Sequence, residues 1–223
     1  MNSHVARRSI LGAAALLGTA ALSAQQRSIE FDFTRLAQGT GLETFNRSVS
    51  GLSEGARNGL RLSASPGEGV AYLQGVEFTT GTIECDIRGK DVQGESFVGI
   101  AFHGVDSATY DAIYFRPFNF RAADSARRVH AVQYISHPTY TWQKLRAEHP
   151  GEYERAVDPV PDPNDWFHVR IVVAGSQVRV FVADATAPSL MVDRLSDRKE
   201  GLVGLWVGNG SSGEFANLRI TPE

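Results

Sequence analysis

The chain has 223 residues, of which 22 are Lys or Arg and 25 are Asp or Glu, giving a net charge of -3 with 42% hydrophobic residues. That is enough apolar side chain for one core, and the slight acidic excess excludes a protein that holds nucleic acid by bulk positive charge. Twenty-two Gly and nine Pro, spread between short apolar runs, favour turns over long helices.

The first 24 residues run from the basic pair Arg7-Arg8 through the apolar stretch Ile10 to Leu22 and end on the small residues Ser23-Ala24. This order predicts a cleaved signal peptide over residues 1–24, and with it a periplasmic or secreted destination. The apolar stretch is shorter than the ~20 residues that span a bilayer, so no membrane insertion is expected after processing. Ala6-Arg7-Arg8-Ser9-Ile10-Leu11 resembles a twin-arginine export motif. An ordinary secretory signal that carries two arginines is the alternative.

Residues 25–223 read as a single domain. After a polar opening segment, period-2 runs recur at Gly59 to Ser63, Val70 to Phe78, Thr82 to Arg88, Phe97 to Phe102, Ala112 to Arg116 and Val129 to Ile135. The C-terminal third repeats the pattern in Phe167 to Val173, Gln177 to Val182, Gly201 to Val207 and Glu214 to Ile220. So many short strands with almost no helix predict an all-β fold, a two-sheet antiparallel β-sandwich. Alternation places Ile83, Cys85, Ile87, Ile113, Phe115, Ile171, Val173, Val180, Val182, Leu205 and Val207 between the sheets. Cys85 is the only cysteine, so no intramolecular disulfide forms, and its place in the alternation predicts a buried, inert thiol.

One stretch breaks the rhythm. Residues 136–165 carry Tyr140, Trp142, Tyr153, several prolines and mixed charges without a sustained strand pattern. We expect a long structured loop in which Trp142 to His149 forms two helical turns ended by Pro150. Trp142 is expected over a cleft, with Lys144 to Glu154 on the solvated side.

Two clusters carry candidate chemistry. In Tyr110 to Phe120, alternation sends Ile113 and Phe115 to the core and Tyr114 and Arg116 to the opposite face, with Asn119 close by. Aromatic faces stack on sugar rings, and an Arg fork binds carboxylate or carbonyl oxygens. In Arg127 to Lys144, Gln133 shares a face with Ala131 and Ile135, while His130 shares the other with Val132 and Tyr134, and alternation alone leaves open which set meets a ligand. His137 is expected beyond this strand, leaning over the cleft and titrating near neutrality. The spacings of His103, His130, His137 and Asp111 match no short zinc signature, so no metal site or cofactor is predicted. A divalent cation such as calcium near Asp91, Asp106 or Asp124 is the alternative. No Gly-x-Ser-x-Gly elbow, phosphate-binding loop or dinucleotide fingerprint occurs in strand-helix context.

Gly81-Thr82-Ile83-Glu84-Cys85-Asp86-Ile87, Asp165-Trp166-Phe167-His168-Val169-Arg170-Ile171, Gly201-Leu202-Val203-Gly204-Leu205-Trp206-Val207 and Phe215-Ala216-Asn217-Leu218-Arg219-Ile220 together resemble the concanavalin A-like lectin/glucanase superfamily. The resemblance implies a jelly-roll sandwich and leaves the activity open, because that fold serves binding modules and enzymes alike. Within it, Gly99-Ile100-Ala101-Phe102, Ala131-Val132-Gln133-Tyr134 and Asp165-Trp166 are most similar to the 3-keto-disaccharide hydrolase, laminin-G-like domains. Ala131 departs from that pattern, in which an acid commonly stands two residues before the Gln. Family-16 glucanases instead place Glu-x-Asp-x-x-Glu on one strand. Glu84-Cys85-Asp86-Ile87-Arg88-Gly89 lacks the last acid of that pair-forming motif.

What the resemblance implies is an exported protein acting on an oligosaccharide or modified sugar, with no nucleic acid partner. A 3-keto sugar has an acidified C2 proton, whose removal expels the C1 substituent before water adds back. Combined with the face assignment, this makes His137 or Glu84 the base and Arg116 the enolate stabiliser. Tyr114, Asn119, Gln133 and Trp142 then position the sugar, with Tyr134 and Asp86 as further contacts. The alternative is a non-catalytic carbohydrate-binding module of lectin or laminin-G type.

Overall fold

The alternating runs become strands whose inward residues set the facing of each sheet. The computed structural model describes residues 27–223, so the export segment assigned to residues 1–24 lies outside the described residues. The elements follow in the order β1 (Ile29–Glu30), α1 (Phe33–Ala37), β2 (Leu42–Phe45), β3 (Val49–Glu54), β4 (Arg57–Leu62), β5 (Gly69–Phe78), β6 (Gly81–Arg88), β7 (Val98–Gly104) and β8 (Tyr110–Phe115). There follow α2 (Pro117–Phe120), α3 (Ser125–Arg128), β9 (Val132–His137), α4 (Trp142–Glu148), β10 (Glu154–Arg155), β11 (Phe167–Ala174), β12 (Gln177–Val182), β13 (Leu190–Asp193), β14 (Gly201–Val207) and β15 (Gly213–Pro222).

Every strand pairing is antiparallel. The first sheet has eight strands, in the order β13-β12-β11-β6-β15-β4-β3 with β1 on β15, and the second has seven, β10-β9-β8-β7-β14-β5-β2. The predicted core set from Ile83 to Val207 is buried throughout, each side chain at most 1% exposed. Phe115 of the second sheet meets Phe167 of the first edge-on, with ring centroids 5.2 Å apart. Each such aromatic or aliphatic side chain contributes about 1.5–3 kcal/mol when fully buried. Cys85 is among them, and burial pushes its thiol far above the ordinary range, which removes it as a nucleophile. Among the described residues, no helix is long and apolar enough to cross a membrane.

Three segments differ from the sequence expectation. The polar opening holds β1, α1, β2 and β3, where Asp32 caps α1 by accepting from Thr34 N at 2.9 Å and Phe33 and Leu36 are buried beneath it. β9 begins at Val132 rather than Val129, because Asp124 caps the turn of α3 and Val129 is still its C-terminal cap. His137 is therefore the last residue of β9 rather than part of the loop beyond it. In 136–165 the helix runs from Trp142 to Glu148, and Glu154–Arg155 then pairs with β9 as an added strand. Glu154 thereby becomes 3% exposed instead of solvated, because the chain returns along the β9 edge to bury Leu145 and Tyr153.

Candidate functional site

One row of cross-strand neighbours runs over the outer face of the second sheet: Trp206 of β14 opposite Gly99 of β7, Gly99 opposite Tyr114 of β8, Tyr114 opposite Gln133 of β9, and Gln133 opposite Glu154 of β10. Gly99 leaves the gap that the large rings fill. A Cβ there would fall 2.1 Å from the Ile113 carbonyl oxygen and 2.8 Å from Tyr114 Cβ, whereas in its absence the Tyr114 and Trp206 rings meet at 5.0 Å.

Arg116 is the first residue past β8 and precedes Pro117, which disfavours a helical backbone at this position. Its side chain folds back over the row and donates to the Tyr114 hydroxyl, to Gln133 Oε1 and to the His130 carbonyl oxygen, the last at 2.8 Å. The guanidinium also sits 4.7 Å from the Tyr114 ring centroid. Tyr114 donates its own hydroxyl to Gln133 Oε1 at 2.7 Å, and burial pushes that phenol up to about 12 despite the opposing charge of Arg116. Gln133 Oε1 thus accepts from two donors, while its Nε2 is buried with no partner among the described residues.

Glu154 closes the row. Arg146 donates to both of its oxygens at 3.0 and 2.7 Å, His130 Nδ1 lies 2.8 Å from it, and Arg116 is 3.7 Å away. Burial pushes this carboxyl up, but the hydrogen bonds and charge of Arg146 outweigh it and hold it below the ordinary carboxylate value.

Above the row lies a cleft of about 680 Å³. Tyr114, Trp206 and Ile135 form its floor, and Phe97, Phe118 and Trp142 its apolar walls. Trp142 is 39% exposed, so its indole presents a face to an incoming ring, backed by the Arg146 guanidinium 5.1 Å from its centroid. Arg116, Arg127 and Arg146 are the arginines of the lining, and Glu68 is its one acidic side chain. Glu68 is engaged at the other end of the strands, where Tyr110 donates to it and His137 Nδ1 lies 3.4 Å away; the Tyr110 and His137 rings stack at 5.1 Å.

The predicted site residues separate accordingly. Arg116, Tyr114 and Trp142 come together at the cleft; the Gln133 set is the one on that outer face, with Gln133 itself buried against Tyr114 and Arg116. Asn119 lines it too, but its side chain is taken up internally, donating to the His130 carbonyl at 3.3 Å and accepting from Arg127. His137 stands on the same outer face, turned to Tyr110 and Glu68.

Three assignments need correcting. Tyr134 alternates with Gln133 onto the core side, where its hydroxyl donates to Asp111 at 3.1 Å, so it does not reach a ligand on the outer face. Glu84 and Asp86 lie on β6, on the outer face of the other sheet, because their neighbours Ile83, Cys85 and Ile87 fill the core. The full thickness of the sandwich separates them from Arg116, about 10 Å between sheets alone. There they join a ladder of ion pairs. Asp86 accepts from His168 Nδ1 at 2.8 Å and Asn217 at 2.7 Å, and Glu84 accepts from Arg219 at 2.9 Å.

Among the described residues, no group of three or more His, Cys, Asp or Glu side chains is placed to hold a metal ion. Asp106 and Asp124 instead accept from backbone N–H groups two residues on, Ala108 and Ala126, each at 2.8 Å.

Trp206, Arg146, Glu154, Phe97, Phe118, Arg127 and Glu68 had not been singled out. Two signals for them exist. Trp206 alternates with the core residues Leu205 and Val207, which puts it outward, and Arg146 stands four residues after Trp142 on one helix face.

No family model and no curated protein matches this chain. Solved structures do resemble it. The carbohydrate-binding module CBM66 from Bacillus subtilis superposes with a TM-score of 0.58 at 17% identity, over 81% of this chain and 96% of that one. A protein of unknown function with a galectin-like fold, also from Bacillus subtilis, gives 0.54 at 10% identity over 81% and 88%. The exoplasmic/lumenal domain of VIP36 in its Ca2+/Man3GlcNAc-bound form gives 0.52 at 10% identity over 88% and 87%. Identities this low speak to the fold: the sandwich is a concanavalin A-like jelly roll.

Proposed function

We propose that this protein binds carbohydrate in the cleft over the Trp206–Tyr114–Gln133–Glu154 row. The observation that carries the reading is the pairing of an exposed indole, Trp142, with a floor of Tyr114 and Trp206 among the arginine donors of the lining. A sugar ring offers an apolar face to the aromatic groups and hydroxyl oxygens to the donors, and this site supplies both. The fold it shares with a carbohydrate-binding module and a glycan-bound lumenal domain is compatible with this reading.

A catalytic reading rests on a different observation. His137 has a carboxylate, Glu68, 3.4 Å from Nδ1, while its Nε2 has no partner among the described residues, which is how a general base is commonly oriented. With Arg116 to stabilise an enolate, this arrangement would suit removal of the C2 proton of a 3-keto disaccharide. The binding reading is preferred because the Arg116 head group is packed on Gln133, four residues from His137 along β9.

One experiment separates the two. Calorimetry of the mature protein against a glycan panel that includes 3-keto disaccharides, with released sugar assayed in parallel, should detect binding that Trp142→Ala weakens by about tenfold or more. Binding without turnover supports a module. Turnover that falls by about 10²–10⁴-fold in His137→Ala, with affinity kept, replaces it with the enzyme. Full affinity in Trp142→Ala would remove the cleft as the site.

A further inference from the structure

We propose that the cleft selects acidic glycans, sugars that carry a carboxylate or sulfate group, and that Arg127 and Arg116 read the anionic group. This deepens the carbohydrate reading of the same cleft and rests on it.

The argument starts from charge. The whole chain is net -3, yet the cleft lining reverses that balance, with Arg116, Arg127 and Arg146 against Glu68. Such a surplus in a partly enclosed site concentrates anions. The partners of each cation matter more than the count. Arg146 is matched by Glu154, which takes both of its bonds and leaves Arg116 at 3.7 Å. Arg127 has no carboxylate within 4.0 Å among the described residues; it donates to Asn119 Oδ1 at 3.2 Å and to the Phe118 carbonyl at 3.2 Å, both neutral acceptors. On the outer face of the first sheet four arginines do have carboxylate partners, whereas Arg170 donates to the Ala185 carbonyl. Arg219 is matched by Glu84, Arg57 by Asp86, and Arg61 and Arg88 by Glu214. Arg127 is therefore a cation of the cleft lining with no carboxylate to neutralise it.

Hydrogen-bond capacity points the same way. Arg116, Arg127 and Arg146 line the cleft with donors and have no acceptor atoms. Against these arginines a neutral hydroxyl can use only its acceptor capacity. A carboxylate or sulfate only accepts, and an arginine fork binds it through charge-assisted bonds.

The test titrates wild-type protein with oligomers of galacturonate, alginate and hyaluronan, each beside its carboxyl-reduced counterpart, and with a sulfated galactan beside its desulfated form. We expect at least one acidic member to bind about tenfold or more tighter than its neutral counterpart, with a preference that shrinks as salt is raised. Arg127→Gln, chosen for its half-exposed position, should lower that ratio, and an unchanged melting temperature confirms that the variant is folded. The uronate and sulfate arms identify which anionic group is read. Neutral counterparts that bind as well as the acidic chains would overturn the selectivity and leave the carbohydrate reading intact. Failure of every glycan, acidic and neutral, would overturn both.

Discussion

Strands β8 and β9 build a polar cluster on each of their two faces, and the two clusters are completed to different degrees. On the inner side Asp111 is fully buried and accepts from Tyr134 Oη at 3.1 Å, Ser196 Oγ at 2.7 Å and Arg198 Nη2 at 2.8 Å, with His103 Nδ1 3.4 Å away. Burial pushes this carboxyl up, but hydrogen bonds led by that of His103, together with the charge of Arg198, hold it below the ordinary range. A positive φ of 49° at His103, beside the register shift between β7 and β14, turns that imidazole inward to reach Asp111. The result ties the connection between β13 and β14 to the sheet.

On the outer side, by contrast, one carboxylate, Glu154, faces Arg146, Arg116 and His130 together, and Arg127 and Gln133 Nε2 are left over. A network gathered on one fully buried carboxylate stabilises the fold, whereas donors that line an open cleft, as Arg116, Arg127 and Arg146 do, are available to a ligand. Proximity to the same two strands does not distinguish the two roles; the cleft above the outer row does.

The largest effect should come from breaking the closed cluster. Asp111→Ala leaves the buried Tyr134 hydroxyl and the half-buried Arg198 without their shared acceptor, and should cost about 1–3 kcal/mol in urea unfolding. A loss under about 1 kcal/mol would mean that the inner network does not hold the connection in place.

A smaller effect on stability, with a clear one on binding, should follow from Arg116→Ala. Glu154 keeps both bonds from Arg146, so the row stays paired, while affinity for a glycan bound by the wild type should drop about tenfold or more. Weakened folding with undiminished affinity would make Arg116 a structural residue and erase the contrast between the clusters.

The mildest test uses the ion-pair ladder on the far sheet as a third case. The hydrogen bond to Asp86 raises His168 above its ordinary value, so the folded chain holds this proton more tightly than the unfolded one. The stabilisation is then complete below the unfolded value of about 6.5 and fades as pH rises through the higher folded value. Thermal melts of His168→Gln should therefore fall short of wild type mainly at acidic pH, with the gap narrowing as the medium becomes alkaline. A gap that is the same at every pH would assign the ring a packing role only.

How much of this was legible beforehand follows from the period of a strand. Alternation is local, so Ile83-Cys85-Ile87 and Ile113-Phe115 declare their buried face without knowledge of any partner. The same regularity pairs Tyr114 with Arg116 and Gln133 with Ile135. It cannot say which sheet a strand joins or which polar face is shared with another element. Glu84 and Asp86 look as suitable as Arg116 in the sequence, and only the order β11-β6-β15 puts them on the opposite side of the sandwich.

The amino-acid sequence by itself determined the all-β class, the core set and the outward direction of Tyr114, because burial and pleating act within a few residues. Tertiary structure alone decided that Tyr134 turns to Asp111, that His137 ends a strand against Tyr110, and that Glu154 returns to β9 beside Gln133. It also decided that Arg127 faces the cleft without a carboxylate. Those outcomes depend on cross-strand register and on charge partners tens of residues apart, and both come into being only when the two sheets close.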